Sequence, residues 1–194
     1  MSHPSSSRGR GSRDRDGSDG SAKRGDGQAP GDVGTGGATE RRIKVGVGEL
    51  AVATRGETLT TSGLGSCVAV AIADERASVR GLLHAMLPTG DETRTAAARR
   101  GKYVDAGIDA LVDDLVDAGA VPGRLEARVA GGAEMLDLTD AVGPRNVERA
   151  ERCLASADVP VVASDVGDGV GRTVRFVAGG GLVVRAADGF ERTL

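Results

Sequence analysis

The sequence has few of the residues that usually carry catalysis or cross-linking. It contains two cysteines, two histidines, no tryptophan and 2% aromatic residues. Two cysteines exclude a disulfide-dense framework, and no closely spaced cysteine pair of a structural zinc site is present. The scarcity of aromatics leaves Val, Leu, Ile and Ala to form the core. The formal net charge of -3 gives no sign of the basic surface that a nucleic-acid-binding protein needs.

Long hydrophobic runs are also missing. The longest apolar run, residues 68–73, is too short to cross a bilayer. The N-terminus has no apolar segment of the kind found in secretory signals. We therefore predict a cytoplasmic protein without membrane insertion, in a reducing compartment where a thiol stays free.

The first part of the chain differs in composition from the rest. Residues 1–41 consist mainly of Gly, Ser, Arg and Asp, with almost no bulky apolar side chains. Such a segment buries too little surface to offset the entropy of ordering its backbone. We predict a disordered polar tail over residues 1–41 and a single domain over residues 42–194. A docking arm is the alternative interpretation of the tail.

The remaining chain alternates between strand and helix patterns. Apolar residues at a period of two, together with β-branched residues, predict strands over residues 43–47, 50–52, 58–61, 68–73, 79–86, 125–130, 159–163, 173–177 and 182–185. A period of three to four predicts helices over about 104–116 and 144–156. This order of elements predicts an α+β fold, with helices covering mixed or antiparallel sheet.

The segment TSGLGSC, residues 61–67, is the most informative in the chain. Cys67 follows a glycine-rich turn at the start of a predicted strand, where the backbone can approach a ligand closely. Amide groups near Gly65 and Ser66 can converge on a developing oxyanion. A lone cysteine beside an apolar strand is also compatible with a buried small hydrophobe, and this alternative stays open.

A thiol with the ordinary cysteine pKa of about 8.5 needs a neighbouring base to become nucleophilic. His3 lies in the predicted tail, which leaves His84 as the candidate base. The strands that carry Cys67 and His84 are predicted to pair as a hairpin, and this pairing can bring the two side chains within hydrogen-bond reach. A core histidine without a catalytic role is the alternative.

The imidazole also needs a third group to orient it. Thr61 is the candidate, and Ser62 and Ser66 are alternatives. A β-branched strand residue is the plainer interpretation of Thr61. Cys153 lies on the second predicted helix, and we interpret it as structural.

Two further segments are rich in glycine, one around Gly131 and Gly132 and one over residues 167–172. Neither has the strand–loop–helix setting and the lysine of a phosphate-binding loop, so nucleotide binding is excluded. We interpret both as turns that line a cleft. Arg172 is expected to position a loop or a substrate carbonyl.

Several segments resemble the family of chemoreceptor glutamine deamidases called CheD. These segments are TSGLGSCVAV, GLLHAMLP, KYVDAGIDALVDDL, LEARVAGGAEML, GPRNVE and GRTVRF. The resemblance extends from about residue 43 to about residue 185. It implies catalytic roles for Thr61, Cys67 and His84. It also implies a layered α/β/β/α sandwich of mixed sheets flanked by helices, related to other cysteine hydrolases.

The resemblance further implies an amidohydrolase that deamidates glutamine side chains of methyl-accepting chemotaxis receptors, without metal or cofactor. The Cys67 thiolate would form a thioester, and ammonia would leave. The known partner of the family is CheC, a phosphatase that acts on the phosphorylated response regulator CheY. The alternatives are a non-catalytic or dual-function partner that regulates a CheC-type phosphatase, and a methylesterase acting on the same receptors.

Overall fold

Ten strands and two α-helices make up the part of the chain that the computed structural model describes, residues 41–90, 100–134 and 141–194. In chain order they are β1 (Arg42–Lys44), β2 (Leu50–Ala53), β3 (Thr58–Leu64), β4 (Val68–Asp74), β5 (Val79–Ala85), α1 (Val104–Asp117), β6 (Glu126–Gly131), α2 (Val142–Ser156), β7 (Val161–Val166), β8 (Arg172–Phe176), β9 (Leu182–Ala186) and β10 (Glu191–Thr193). These residues belong to one compact unit, Ala38–Leu194. The predicted tail lies outside the described residues except for Arg41, so its disorder stays a prediction.

The strands form two five-stranded sheets. Sheet A has the order β1-β3-β8-β9-β10, and sheet B has the order β2-β5-β4-β6-β7. In sheet A, β1 and β3 are parallel and the other neighbours are antiparallel. In sheet B, β6 and β7 are the parallel pair. Both sheets are therefore mixed.

Strand β4, at the centre of sheet B, is buried along its whole length. Its branched side chains lie in the apolar cluster that contains the helices, whereas Ala69, Ala71 and Ala73 face sheet A. Larger side chains of sheet A, such as Leu59 and Phe176, complete that second cluster. The alternation of large and small residues on β4 thus directs the branched side chains toward the helices and the alanines toward sheet A.

Helix α1 packs closely on β5 because β5 contains a glycine at the contact. A Cβ atom at Gly81 would lie 2.6 Å from Cδ1 of Leu111. Leu111 and Leu115 are fully buried against this strand. The period of three to four seen in the sequence therefore marks the face of α1 that covers sheet B.

The predicted α+β sandwich of two mixed sheets flanked by helices is confirmed. Within the described residues, the buried apolar side chains of both helices belong to the cluster on the outer side of sheet B. In that part of the chain the layers therefore run helix, sheet, sheet, and the second helix layer of the implied α/β/β/α order, outside sheet A, is not seen among the described residues. No helix in the described ranges is long and apolar enough to cross a membrane.

Some element boundaries differ from the prediction. Helix α2 begins at Val142, two residues before Pro144, whose missing N–H is tolerated in the first turn because no intrahelical acceptor exists there. Strand β7 runs over Val161–Val166, later than the predicted 159–163. Strand β10 was not predicted, since its three residues are all exposed and show no alternation.

Candidate active site

Thr61 and His84 meet between the two sheets. Thr61 lies on β3 of sheet A, and His84 lies on β5 of sheet B. Oγ1 of Thr61 is 2.7 Å from Nδ1 of His84, and this hydrogen bond is buried. His84 is 0% exposed. A short, buried hydrogen bond of this kind fixes the orientation of the imidazole ring.

Cys67 reaches the same inter-sheet region. It directly precedes β4, and Ala69, two residues further on, is paired with His84 across the β4–β5 ladder. The half-buried Cys67 side chain packs against the inter-sheet cluster that includes Ala69. Residues placed diagonally across an antiparallel ladder are typically about 7–8 Å apart, a separation that an aromatic or long side chain can span. The predicted hairpin therefore brings the thiol and the imidazole into one region.

The second ring nitrogen of His84 is unoccupied. Nε2 is buried and has no hydrogen-bond partner among the described residues. In the tautomer with the proton on Nδ1, that nitrogen donates to Thr61 Oγ1, and Nε2 keeps a lone pair. A buried nitrogen in this state can accept a proton from a nearby thiol or from a substrate water.

Burial keeps both reactive groups neutral at rest. It lowers the pKa of His84 below its ordinary value of 6.5. It also raises the pKa of the Cys67 thiol above 9.0, an effect that the Cys67 backbone N–H partly opposes. A neutral thiol beside a neutral imidazole requires proton transfer to occur together with attack on a substrate.

Three consecutive carbonyl groups hold the turn before β4. Gly65 O accepts from Ala133 N and Cys67 O accepts from Gly132 N, each at 2.8 Å. Ser66 O accepts from the side chain of Asn146 at 2.8 Å. In contrast, neither the Ser66 N–H nor the Cys67 N–H donates to a described backbone carbonyl. The Gly65 N–H donates to Gly63 O at 3.1 Å, so the N–H groups of Ser66 and Cys67 are the remaining candidates for oxyanion donors on this fixed turn.

Gly131 and Gly132, predicted to line a cleft, are buried behind this turn. A Cβ atom at Gly131 would collide with the Cys67 carbonyl oxygen, and one at Gly132 would collide with Val147. Both residues have positive φ, 103° and 63°. They allow β6 to lie close to the Cys67 backbone, which is a supporting position rather than a wall of the cleft.

Arg172 is buried between the sheets, and its guanidinium contacts a loop. It donates to the carbonyls of Gly167 and Val170 at 2.8 and 3.1 Å and to Asp165 Oδ1 at 2.9 Å. The same loop is joined to the β6 end by Gly167 N, which donates to Gly131 O at 3.0 Å. Of the two roles expected for Arg172, the contacts support positioning of the loop.

Removing this guanidinium is expected to destabilise the fold strongly. Arg172→Ala leaves Asp165 with Arg192 as its remaining cation, so we expect a loss of about 3 kcal/mol in the free energy of unfolding. Urea unfolding measures this loss. Arg175→Ala, on the same strand but half-buried, is the control and should change stability by less than about 0.5 kcal/mol. Equal losses in both variants would contradict a special role for Arg172.

Asn146 is the residue whose position the sequence interpretation missed. It is fully buried on α2, and its Nδ2 donates to Ser66 O at 2.8 Å and to Met86 O at 2.9 Å. A signal was present, since Asn146 lies four residues before the core residue Ala150 and is therefore a polar residue on the apolar face of the helix.

Other expected residues have simpler positions. Ser62, an alternative to Thr61, is exposed, while Ser66 is half-buried in the turn. Cys153 is half-buried on α2 and packs against the helix-side cluster, as a structural cysteine does. Thr61 is therefore the residue among the three candidates that contacts the His84 ring.

A cysteine on a glycine-rich turn, beside a histidine whose far nitrogen is held by a third polar group, is the arrangement of cysteine-dependent amide and ester hydrolysis. The fold therefore defines the class as an α+β sandwich of two mixed sheets, and its candidate site has the residue types of a cysteine hydrolase.

Comparison with known proteins gives the family. The profile described as CheD chemotactic sensory transduction matches residues 86–186. The probable chemoreceptor glutamine deamidase CheD of Haloarcula marismortui is 41% identical over 161 residues, 81% of this chain and 92% of that protein. The chemoreceptor glutamine deamidase CheD of Bacillus subtilis is 37% identical over 139 residues, 69% of this chain and 84% of that protein. The chain belongs to the CheD family, as its motifs had indicated.

Proposed function

We propose that the protein deamidates glutamine side chains of methyl-accepting chemotaxis receptors, with Cys67 as the nucleophile. The observation that carries this proposal is the buried contact of 2.7 Å between Thr61 and His84, which orients an imidazole whose other nitrogen has no partner among the described residues. Cys67 directly precedes the strand that pairs with the His84 strand. The printed names of the relatives, chemoreceptor glutamine deamidases, supply the substrate class.

The first half of the reaction forms a thioester. His84 Nε2 accepts the thiol proton as Cys67 Sγ attacks the carbon of the glutamine carboxamide. The carbonyl oxygen becomes an oxyanion, and the N–H groups of Ser66 and Cys67, which donate to no described backbone carbonyl, can stabilise it. The tetrahedral intermediate then collapses, the C–N bond breaks, and the His84 imidazolium donates its proton to the departing ammonia.

The second half releases glutamate. Neutral His84 removes a proton from water, and the resulting hydroxide attacks the thioester carbonyl. The C–S bond breaks, the thiolate takes the proton back from His84, and the substrate side chain leaves as a carboxylic acid, which ionises to the carboxylate as the released ammonia takes up its proton. Each cycle consumes one water and produces one ammonia, and it converts a neutral side chain to a negative one. On a receptor helix, the new carboxylate can then be methylated.

The resemblance of the motifs also supports a location and a second partner. The glutamines of these receptors lie on the cytoplasmic helical bundle, so we place the protein in the cytoplasm. We also propose that it binds a CheC-type phosphatase, and such binding is compatible with deamidase activity. The intact group of Thr61, Cys67 and His84 favours catalysis over a purely binding role.

The mass of a receptor cytoplasmic fragment separates these possibilities. We expect incubation with the protein to add about 1 Da for each deamidated glutamine, with a matching amount of ammonia. A methylesterase acting on a methylated fragment would instead remove about 14 Da for each ester. An unchanged mass together with measurable binding would contradict the deamidase proposal and favour the binding role.

The hydroxyl of Thr61 is expected to matter for turnover more than for folding. Thr61→Val keeps the β-branched shape but leaves His84 Nδ1 buried without its partner, an effect of about 1–3 kcal/mol, so we expect kcat to fall about 10- to 100-fold. Ammonia release at saturating receptor fragment measures it. Thr61→Ser keeps the hydroxyl and is the matched control. A Thr61→Val enzyme as active as Thr61→Ser would show that the hydrogen bond has no catalytic role.

A further inference from the structure

Asn146 joins the two segments that carry the thiol and the imidazole. Its single Nδ2 donates to the carbonyl of Ser66, the residue before Cys67, and to the carbonyl of Met86, two residues after His84. These two segments lie 20 positions apart in the chain, and a third element, α2, supplies the bridge. This side-chain amide therefore adds a link between the nucleophile turn and the end of β5 to the β4–β5 ladder, which pairs Val68 with Ala85.

The direction of this amide is fixed by its partners. Both are carbonyl oxygens, which only accept hydrogen bonds, so the nitrogen must face them. Oδ1 of Asn146 is then left buried with no hydrogen-bond partner among the described residues. An unpartnered buried acceptor typically costs about 1–3 kcal/mol. The unpartnered Oδ1 of Asn146 thus lowers stability, and the fold retains this side chain where its two N–H groups bind the carbonyls of Ser66 and Met86.

The backbone around Asn146 is packed to hold it in place. Gly143, one turn earlier on α2, is buried, and a Cβ atom there would collide with Ala133 O and lie 2.7 Å from Gly132 O. Ala133 and Gly132 are the residues whose N–H groups bind the carbonyls of Gly65 and Cys67. The start of α2 and the end of β6 therefore support the same turn from two sides.

We propose that Asn146 is a positioning residue for catalysis, which sets the placement of the Cys67 thiol relative to His84 Nε2. This inference rests on the proposed function and adds a residue to it. Asn146 is 0% exposed, so it contacts no substrate and acts through the turn and the strand end. Displacement of a reacting group by about 1 Å can reduce a rate about 100-fold.

The test measures turnover and thiol reactivity in Asn146→Ala. We expect kcat per folded molecule to fall about 10- to 100-fold with KM unchanged, because the turn is displaced while the receptor-binding surface is intact. Leu154→Ala is the control, since it removes a fully buried side chain from the same helix without touching the turn. If Leu154→Ala loses as much kcat per folded molecule, the effect is general loosening and the proposal is wrong.

Alkylation of Cys67 by iodoacetamide gives a readout that needs no receptor. In the wild-type protein the rate is expected to follow two ionisations, of His84 and of the thiol, because the two groups are coupled. In Asn146→Ala we expect the His84 step to disappear and a single thiol step to remain. Retention of both steps would overturn the proposal. This readout stands even if no deamidation is found, so failure of the positioning role and failure of the proposed function are distinguishable.

An isosteric variant covers the case in which Asn146→Ala does not fold. Asn146→Asp keeps the size of the side chain but replaces the N–H donors with an acceptor that faces two carbonyls. We expect it to show the same loss of kcat and of the His84 alkylation step. Full activity in Asn146→Asp would contradict the need for the two donated hydrogen bonds.

Discussion

Cys67→Ala is expected to retain the fold and to release no measurable ammonia from receptor, a loss of about 10⁴-fold or more in kcat. The sulfur forms the bond that holds the acyl group, and alanine has no atom that replaces it. The side chain is half-buried at the margin of the inter-sheet cluster, so its removal costs little packing. Ammonia release and receptor mass, measured on the same sample, check both products.

The chain contains its own control for this substitution. Cys153 is the other cysteine, also half-buried, and lies on α2 in the helix-side cluster. Cys153→Ala should leave kcat within about 2-fold of wild type, since its thiol has no place in the mechanism. Ammonia release that persists in Cys67→Ala, with a folded protein, would return Cys67 to the role of a small buried hydrophobe.

His84→Gln is expected to reduce kcat by about 10³-fold or more, because one side chain supplies both the base and the acid steps. Glutamine is similar in size and can still form a hydrogen bond with Thr61, so the inter-sheet contact has a substitute. Ammonia release across a pH series measures the loss. Substitution of a core histidine without a catalytic role would instead lower stability and leave kcat per folded molecule near wild type.

The pH dependence of the wild-type enzyme follows from the direction of the two pKa changes. Burial holds the pKa of His84 below 6.5, so the acid limb of kcat/KM should lie on the acid side of that value and be absent in His84→Gln. Burial also raises the pKa of the Cys67 thiol, so the thiol keeps its proton through neutral pH. A plateau across neutral pH is therefore expected.

The lowered pKa of His84 also makes the free energy of unfolding depend on pH. Because the pKa of His84 is lower in the folded than in the unfolded state, the unfolded chain binds more protons between the two values. The contribution of His84 to folding is fully present above 6.5 and is lost as the pH falls through the folded-state pKa. His84→Gln should remove this part of the acid sensitivity, as urea unfolding at several pH values would show.

The hairpin of the site could be predicted from the sequence because its signals are local. The alternation over β4 and β5 and the short connection between them predict the antiparallel pair, and the register places Ala69 opposite His84. The glycine-rich turn before Cys67 is also a local signal. These features depend on residues close together in the chain, whose preferences are visible without knowledge of the rest of the fold.

The other contacts depend on how the two sheets and the helices pack. Thr61 was predicted as the group that orients the imidazole, but the sequence could not show how the two meet, since the contact with His84 requires that β3 and β5 lie in different sheets that face each other. Asn146 reaches Ser66 from 80 positions away. Arg192 pairs with Asp165 from a strand of three exposed residues. No local periodicity encodes such pairings, since they follow from tertiary packing.

The measurement closest to the central claim is the mass of the enzyme during turnover. A short receptor peptide with one reactive glutamine should give, on acid quenching, an adduct on the peptide that contains Cys67, with the mass of the added peptide lowered by about 17 Da for the lost ammonia. Hydroxylamine should remove it. Rapid deamidation with no adduct on Cys67, or with an adduct on another residue, would show that the reaction does not pass through this thiol.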